Sequence, residues 1–379
     1  MEFELNKTQV LLQQLFRKFA ETEIKPYAEE MDETATYRRD LIDKMKKYGF
    51  LGTAFPRELG GAGAGYLGYA LCVEELSKVD ASSGLLISVH NLGGQAIAQF
   101  ANDEQKKKWV TRLATGEAIG SFGLTEPGAG TDAAGQQTKA WLEGDHYVIN
   151  GSKMFTTNAQ FSDIGIVMAM TNKAAGTKGI SAFIVDMHSK GIEVGKNIKR
   201  MGIRAASNTE VYYDNVIVPK ENLLGKEGDG FKIAMQGLDG GRIGIAAQAL
   251  GVAEGALNEA LKYIKERKQF GKKISSFQNT QFKAAEYQTL VDAAKLLVYR
   301  AAWAHDNHKP FGQFAAMAKL YASTIAQTVT SGAVQFLGGY GYQQEYQVER
   351  MMRDAKITEI YEGTSEAQKM VISGSMKVF

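Results

Sequence analysis

The sequence has one cysteine, Cys72, among 379 residues, so no disulfide can form within the chain. Its setting, "YALCVEELSKV", has apolar neighbours at helical spacing, which predicts a buried structural thiol rather than a nucleophile. Histidine is also scarce: His90, His146, His188, His305 and His308 are scattered, and no dedicated metal site is expected. Neither sign of charge is in excess. A net charge of +2 does not suggest a nucleic-acid surface, and the basic run "EQKKKWV" is short enough to be a solvated helix face. No stretch approaches the roughly 20 uninterrupted apolar residues that a membrane span needs. The opening "MEFELNKTQVLLQQLFRKFAE" is acidic at once and amphipathic, unlike a signal or transit peptide, so a cytoplasmic protein whose first residues belong to the fold is expected.

What the chain does have is length and a globular composition. With 379 residues, 44% of them apolar and 23% charged, it can form two or three domains and bury a cofactor. Residues 5–115 read as helices: Leu11, Leu12, Leu15, Phe16 and Phe19 recur at three- and four-residue steps, and "RRDLIDKMKKYGF" repeats the habit. The Gly-rich "ELGGAGAGYLG" lacks the Gly-Lys-Ser/Thr ending of a phosphate loop and reads as a turn. From about residue 119 the texture changes to β-branched or alternating runs ("HYVINGSKMF", "IGIVMAMT", "ISAFIVD", "EVYYDNVIVP"). Beyond residue 230 long helices return, with Ile243, Ala247, Leu250, Leu257, Leu261 and Ile264 on one stripe, and two or three more helices follow up to Lys356. The order predicts an N-terminal all-α domain (residues 1–118), a middle β domain (119–230) and a C-terminal helical bundle (231–379). Alternation of strand and helix is missing, which argues against a doubly wound nucleotide-binding fold.

Several stretches carry polar residues where chemistry could sit, and each has a plain structural alternative. In "DAKITEIYEGTSEAQKMVI", Glu362 precedes a glycine and can be a solvated residue at a helix end. "EPGAG" can be a turn and "MFTTN" a strand end. Arg267 in "ERKQFGK" can be a basic helix terminus in solvent, Asp239 and Arg242 an i,i+3 surface pair, and Gly338 and Gly339 a helix C-cap.

Taken together, "SFGLTEPGAGTDAAG", "NGSKMFTTNAQ", "ERKQFGK", "QFLGGYGY" and "IYEGTSE" resemble, in order and at the expected intervals, the signature stretches of the acyl-CoA dehydrogenase family. The likeness spans essentially the whole chain and is greatest to short-chain (butyryl-CoA) members. It implies the fold of that family, with a barrel-like middle domain of orthogonal sheets and a C-terminal four-helix bundle, and it implies FAD. The resemblance assigns residues 122–131 to the flavin, with Phe122, Leu124, Thr125, Gly130 and Thr131 as contacts and Gly128 and Gly130 allowing close backbone approach. Phe155 falls where the family carries an aromatic against the flavin, often Trp; Phe keeps the apolar wall but loses the indole donor. Thr156 and Thr157 are flavin contacts as well, the hydroxyl of Thr157 reaching N5. Arg267 is implied to pair with the pyrophosphate, with Phe270, Gln278, Gln335, Phe336, Leu337, Gly338 and Gly339 as further contacts, and Thr364, Ser365 and Glu366 near the opposite end of the cofactor. The matching CoA-thioester residues are Thr131, Asp239, Gly240, Gly241, Arg242 and Gly363.

The same resemblance makes Glu362 the base that removes the substrate's α-proton while the β-carbon gives a hydride to flavin N5. Burial would raise its pKa toward the working range, and the thioester oxygen would be held by the Glu362 backbone N–H and a ribityl hydroxyl. Some branches of the family carry the base on the helix of the Asp-x-x-Arg stretch; here that position is Gly241, which cannot serve. The implied activity is α,β-dehydrogenation of a short-chain acyl-CoA, with electrons passed to an electron-transferring flavoprotein. The implied assembly is a homo-oligomer, a dimer of dimers in which Arg267 and the 335–339 stretch reach the partner's flavin. Two alternatives stand beside it: the same site run as an enoyl-CoA (crotonyl-CoA) reductase in an electron-bifurcating complex, and a non-catalytic acyl-CoA-binding scaffold that would need no base.

Overall fold

The structure, a computed structural model, describes residues 4–376 and 378; Glu2 of the acidic opening lies outside them. Seven helices come first: α1 (Lys7–Phe19), α2 (Ala28–Thr34), α3 (Arg39–Lys47), α4 (Gly65–Ser77), α5 (Ala81–Phe100), and the short α6 (Asp103–Gln105) and α7 (Thr111–Ala114). α1 starts where Asn6 and Gln9 cap each other's backbone N–H groups at 3.0 and 2.9 Å, and it buries Phe16 and Phe19 against Phe50. The Gly-rich stretch after Leu59 is a turn as expected, although its last part already belongs to α4. Lys107 and Lys108 are solvated, but they sit on a π-type turn, Lys106–Val110, that tucks Trp109 into the core. Cys72 is fully buried.

The middle segment supplies β1 (Gly120–Gly123), β2 (Lys139–Glu143), β3 (His146–Thr157), β4 (Ile164–Met170), β5 (Ile180–Asp186), β6 (Ile192–Val194), β7 (Asn208–Pro219) and β8 (Leu223–Leu224). Hydrogen bonds run in the order β6-β7-β3-β2-β4-β5-β8, with β1 on β4. β2 joins β4 at one pair only, Lys139 with Met170, so the path consists of two halves that fold over a shared core. Tyr147 of one half meets Phe183 of the other edge-on at 4.9 Å, among Ile149, Val167, Val185, Val211 and Val218.

The C-terminal segment has α8 (Gly230–Glu266), a small hairpin of β9 (Lys268–Gln269) and β10 (Lys272–Lys273), α9 (Gln278–Asp306), α10 (Gly312–Leu337), α11 (Val348–Ile357) and α12 (Ser365–Ser375). α8 is the axle of the molecule. Of its expected stripe, Ile243, Ala247, Leu250, Leu257 and Ile264 are buried and Leu261 is half-buried, yet every residue from 240 to 253 is buried because α4, α5 and α10 surround it. Glycine permits this closeness: a β-carbon on Gly251 would stand 2.3 Å from the Glu74 carbonyl of α4. The α4–α8–α9 seam also holds charges in mutual contact, Lys78 Nζ lying 2.8 Å from the buried Glu75 and 3.1 Å from the half-buried Glu254, and Nζ of the half-buried Lys295 2.9 Å from Glu254. No helix among the described residues is long and apolar enough to cross a membrane.

Candidate active site

Between α11 and α12 the chain passes through two consecutive left-handed residues, Glu362 at φ +49° and Gly363 at φ +94°. Such a conformation is uncommon for a non-glycine residue and persists only where the surroundings enforce it. Here they do. The Gly363 carbonyl accepts hydrogen bonds from Lys319 Nζ of α10 at 2.7 Å and Gln368 Nε2 of α12 at 2.8 Å, and Gln368 Nε2 also lies 3.3 Å from the Glu362 carbonyl. On the preceding side the Tyr361 hydroxyl donates to Gln248 Oε1 of α8. Thr364 caps α12, its hydroxyl accepting from the Ala367 N–H at 3.3 Å, so Thr364, Ser365 and Glu366 form the exit of the same turn.

The turn aims Glu362 at α8. A β-carbon built on Gly241 would fall 2.1 Å from Oε2, so that position of α8 leaves room for the carboxylate only as glycine. Glu362 is therefore not the solvated helix-end residue that Glu-Gly suggests: part of the residue is accessible, but both carboxylate oxygens are sealed and have no hydrogen-bond partner among the described residues. Burial raises its pKa to about 7, against the pull of Lys319 and Arg242, the two nearby cations. The Glu362 backbone N–H has no acceptor among the described residues. Beside it, Arg242 is buried and bonds Asp239 Oδ1 at 2.5 Å with its Nε unpartnered, which corrects the reading of this couple as a surface pair. Gly240 faces Tyr66, whose hydroxyl would be 2.5 Å from an added β-carbon.

The β domain forms a second cluster. Residues 122–131 leave β1 as a loop held to β3 by the Met154 N–H donating to the Thr125 carbonyl at 2.7 Å. Beneath it Lys153 is fully buried and reaches Glu126 at 2.7 Å, Gln136 at 3.0 Å and the Leu124 carbonyl at 3.2 Å. Burial lowers its pKa to about 8 although Glu126 opposes. A register shift between Lys153 and Thr156 turns Phe155 outward at φ +56°, leaving it 54% exposed, an apolar ring awaiting a cover. Asn208 Nδ2 fixes this bulge, donating to the Phe155 carbonyl and to Thr157 Oγ1, both at 3.0 Å. The Thr157 hydroxyl proton is thereby free to point elsewhere. Thr156 Oγ1 is buried without a partner, Thr131 is exposed, and nothing in the chain comes within 4 Å of a β-carbon on Gly128 or Gly130.

Arg267, Gln335, Phe336, Leu337, Gly338 and Gly339 meet elsewhere, in a groove of about 720 Å³ between α8, α9 and the end of α10. Arg267 ends α8 with its guanidinium over the Tyr340 ring at 5.3 Å, and Gly338, at φ +60°, also ends α10 as a C-cap. Gln278 opens α9 and Phe270 tips the β9–β10 hairpin, 93% exposed; neither lines the groove. The candidate residues thus fall into three sets: the Glu362 turn against α8, the bulge and loop of the β domain, and the groove at Arg267, with Gln278 and Phe270 outside the groove lining.

A flavin fits what these sets lack. Its apolar ring would cover Phe155, its polar edge would meet the Thr157 hydroxyl, and an anionic pyrophosphate suits Arg267. Lys319, Asn208 and the Lys153–Glu126 pair were not singled out from sequence. Lys319 has a visible signal, one lysine in the otherwise apolar "FAAMAKLYAS"; Asn208 has none.

Among the described residues no group of acidic, histidine or cysteine side chains could hold a metal. Three sequence models of one family match the chain: the acyl-CoA dehydrogenase N-terminal domain over residues 6–117, its middle domain over 121–216 and its C-terminal domain over 228–377. A short-chain-specific acyl-CoA dehydrogenase from Clostridium acetobutylicum is 53% identical over 99% of this chain and all of its own. The solved butyryl-CoA dehydrogenase of Megasphaera elsdenii superposes with a TM-score of 0.98 at 47% identity, covering 99% of this chain and 100% of that one. A chain in a structure described for the electron transferring flavoprotein of Acidaminococcus fermentans and flavin-based electron bifurcation matches at TM-score 0.98 and 50% identity, with both chains covered completely. The chain belongs to the acyl-CoA dehydrogenase family, whose members are FAD-dependent oxidoreductases.

Proposed function

We propose that this enzyme removes the α-proton of a short-chain acyl-CoA with Glu362 as the C2–C3 bond becomes the trans-2-enoyl double bond. The observation that carries this reading is the sealed, unpartnered carboxylate with a pKa near 7, facing Gly241. Burial disfavours the charged form of this carboxylate, which raises its affinity for a proton toward the working range of a general base. The unpaired Glu362 N–H donates to the thioester oxygen and stabilises the enolate-like charge that forms as the proton leaves. Thr157, with its oxygen engaged by Asn208, donates its proton toward the flavin, and Phe155 supplies the apolar wall. Arg242 and Asp239 orient the CoA arm. Bound FAD supplies the acceptor for the hydride that leaves the β-carbon. An electron-transferring flavoprotein takes the electrons onward, a reading supported by the likeness to the Acidaminococcus chain.

The enzyme acts as a homo-oligomer in this reading, in which Arg267 and residues 335–339 serve the partner's cofactor. Support comes from the groove at Arg267 sharing no lining residue with the Glu362 turn and from large apolar side chains left exposed on α9 and the β9–β10 hairpin: Phe270 is 93%, Phe282 64% and Leu296 51% exposed. The likeness to a chain studied in electron bifurcation favours a second reading of direction, enoyl-CoA reduction at the same site. Anaerobic mixing with acyl-CoA thioesters of graded length tests the chemistry. Loss of the yellow flavin colour with butyryl-CoA is expected, and no loss with any thioester would favour a binding scaffold instead. Oxidation of the reduced enzyme by crotonyl-CoA in the presence of its electron-transfer partner, faster than the forward reaction, would establish the reductive direction.

A further inference from the structure

Lys319 is the sole charged residue of α10, and its side chain is fully buried. Its ammonium has no carboxylate within 4.0 Å among the described residues; its hydrogen bond is to the Gly363 carbonyl at 2.7 Å. A buried, unpaired ammonium is costly, so the hydrogen bond alone is a poor reason for it. It is also a redundant reason, because Gln368 Nε2 already donates to the same carbonyl at 2.8 Å. What a neutral donor could not supply is charge. Glu362 is the first influence holding Lys319 charged against burial, and Lys319 is the first influence holding Glu362 ionised against burial. Around the carboxylate stand Arg242 from α8, already engaged by Asp239, and the phenols Tyr66 and Tyr69 from α4, while Tyr361 flanks it in its own turn. Glu359 and Glu366 act on Lys319 from either side of the turn.

We infer that Lys319 is a positioning residue for the base, holding the left-handed Glu362–Gly363 turn by the Gly363 carbonyl and supplying the positive charge that lets Glu362 ionise in a sealed pocket. The inference rests on the reading of Glu362 as the base. Lys319→Met removes both charge and donor, whereas Lys319→Gln removes the charge and keeps a donor for Gly363. In each flavin-loaded variant the Glu362 carboxyl band is followed against pH by difference infrared spectroscopy, assigned by its absence from Glu362→Gln. The pH dependence of flavin reduction by butyryl-CoA is recorded alongside.

The titration midpoint should rise by about one pH unit or more in both variants, the low end of what one opposite charge does to a buried carboxylate. Reduction at pH 6 should slow by about tenfold and recover as the pH is raised. A wild-type midpoint in both variants overturns the inference. A midpoint raised by Met but not by Gln assigns the effect to the hydrogen bond and overturns the role of charge. If Glu362→Gln is still reduced at the wild-type rate, the reading of Glu362 as base has failed, and the infrared midpoints separate that failure from this one.

Discussion

Gly241 of α8 and Glu362 of the α11–α12 turn share one volume: a β-carbon on the first would stand 2.1 Å from Oε2 of the second. The base can therefore exist here only because the helix opposite has no side chain. Gly241→Ala should fold, since the carboxylate end can swing away, but the swing misplaces the base. Flavin reduction by butyryl-CoA should slow by about 10²-fold, the usual cost of a misplacement near 1 Å. An unchanged stopped-flow rate would mean that Glu362 acts from a different position.

The raised pKa has a consequence for stability. A carboxylate whose pKa rises from 4.5 to about 7 on folding binds its proton more tightly in the native state. That contribution is complete below about pH 4.5 and is lost as the pH passes about 7, a swing of roughly 3 kcal/mol. Glu362→Gln lacks this dependence. Thermal unfolding of wild type and variant from pH 5 to 8.5 should show the variant gaining steadily on the wild type, with the change concentrated between pH 5 and 7.5. Parallel curves would contradict the assignment, and other titrating groups cancel in the comparison.

Cofactor sharing between subunits can be tested by complementation. In a mixed dimer of Glu362→Gln with Arg267→Ala, one site collects both defects while the other draws base and arginine from intact copies. Co-expressed chains should show activity absent from either mutant alone. Mixed dimers that fold and assemble yet stay inactive would mean that Arg267 does not act across the interface.

Thioesters of about four carbons should be preferred, each methylene that does not fit costing about 1 to 3 kcal/mol. A best substrate of eight carbons or more, measured as kcat/KM across the series, would contradict it.

The sequence made the broad architecture legible because the hydrophobic period changes from helical to alternating near residue 119 and back near 230, and the strands quoted from it became β3, β4, β5 and β7. β1, β2, β6 and β8 were not legible: they are short and owe their strand state to neighbours rather than to their own pattern. Glu362 and Gly241 were marked by motif, but their complementary fit depends on two left-handed residues that no local rule predicts. Arg242 reads as half of a surface pair until α4 and α10 close over it. Asn208 was invisible because its role is to fix a bulge fifty residues earlier in the chain.

Proton abstraction rests on the carboxylate of Glu362, and anaerobic stopped-flow reduction of the flavin by butyryl-CoA tests it directly. Wild-type enzyme should bleach. Glu362→Gln should remain yellow and bind the thioester yet reduce ~10² to 10⁴-fold more slowly, the range expected for loss of a general base. Bleaching of the variant at a rate near wild type would contradict the account.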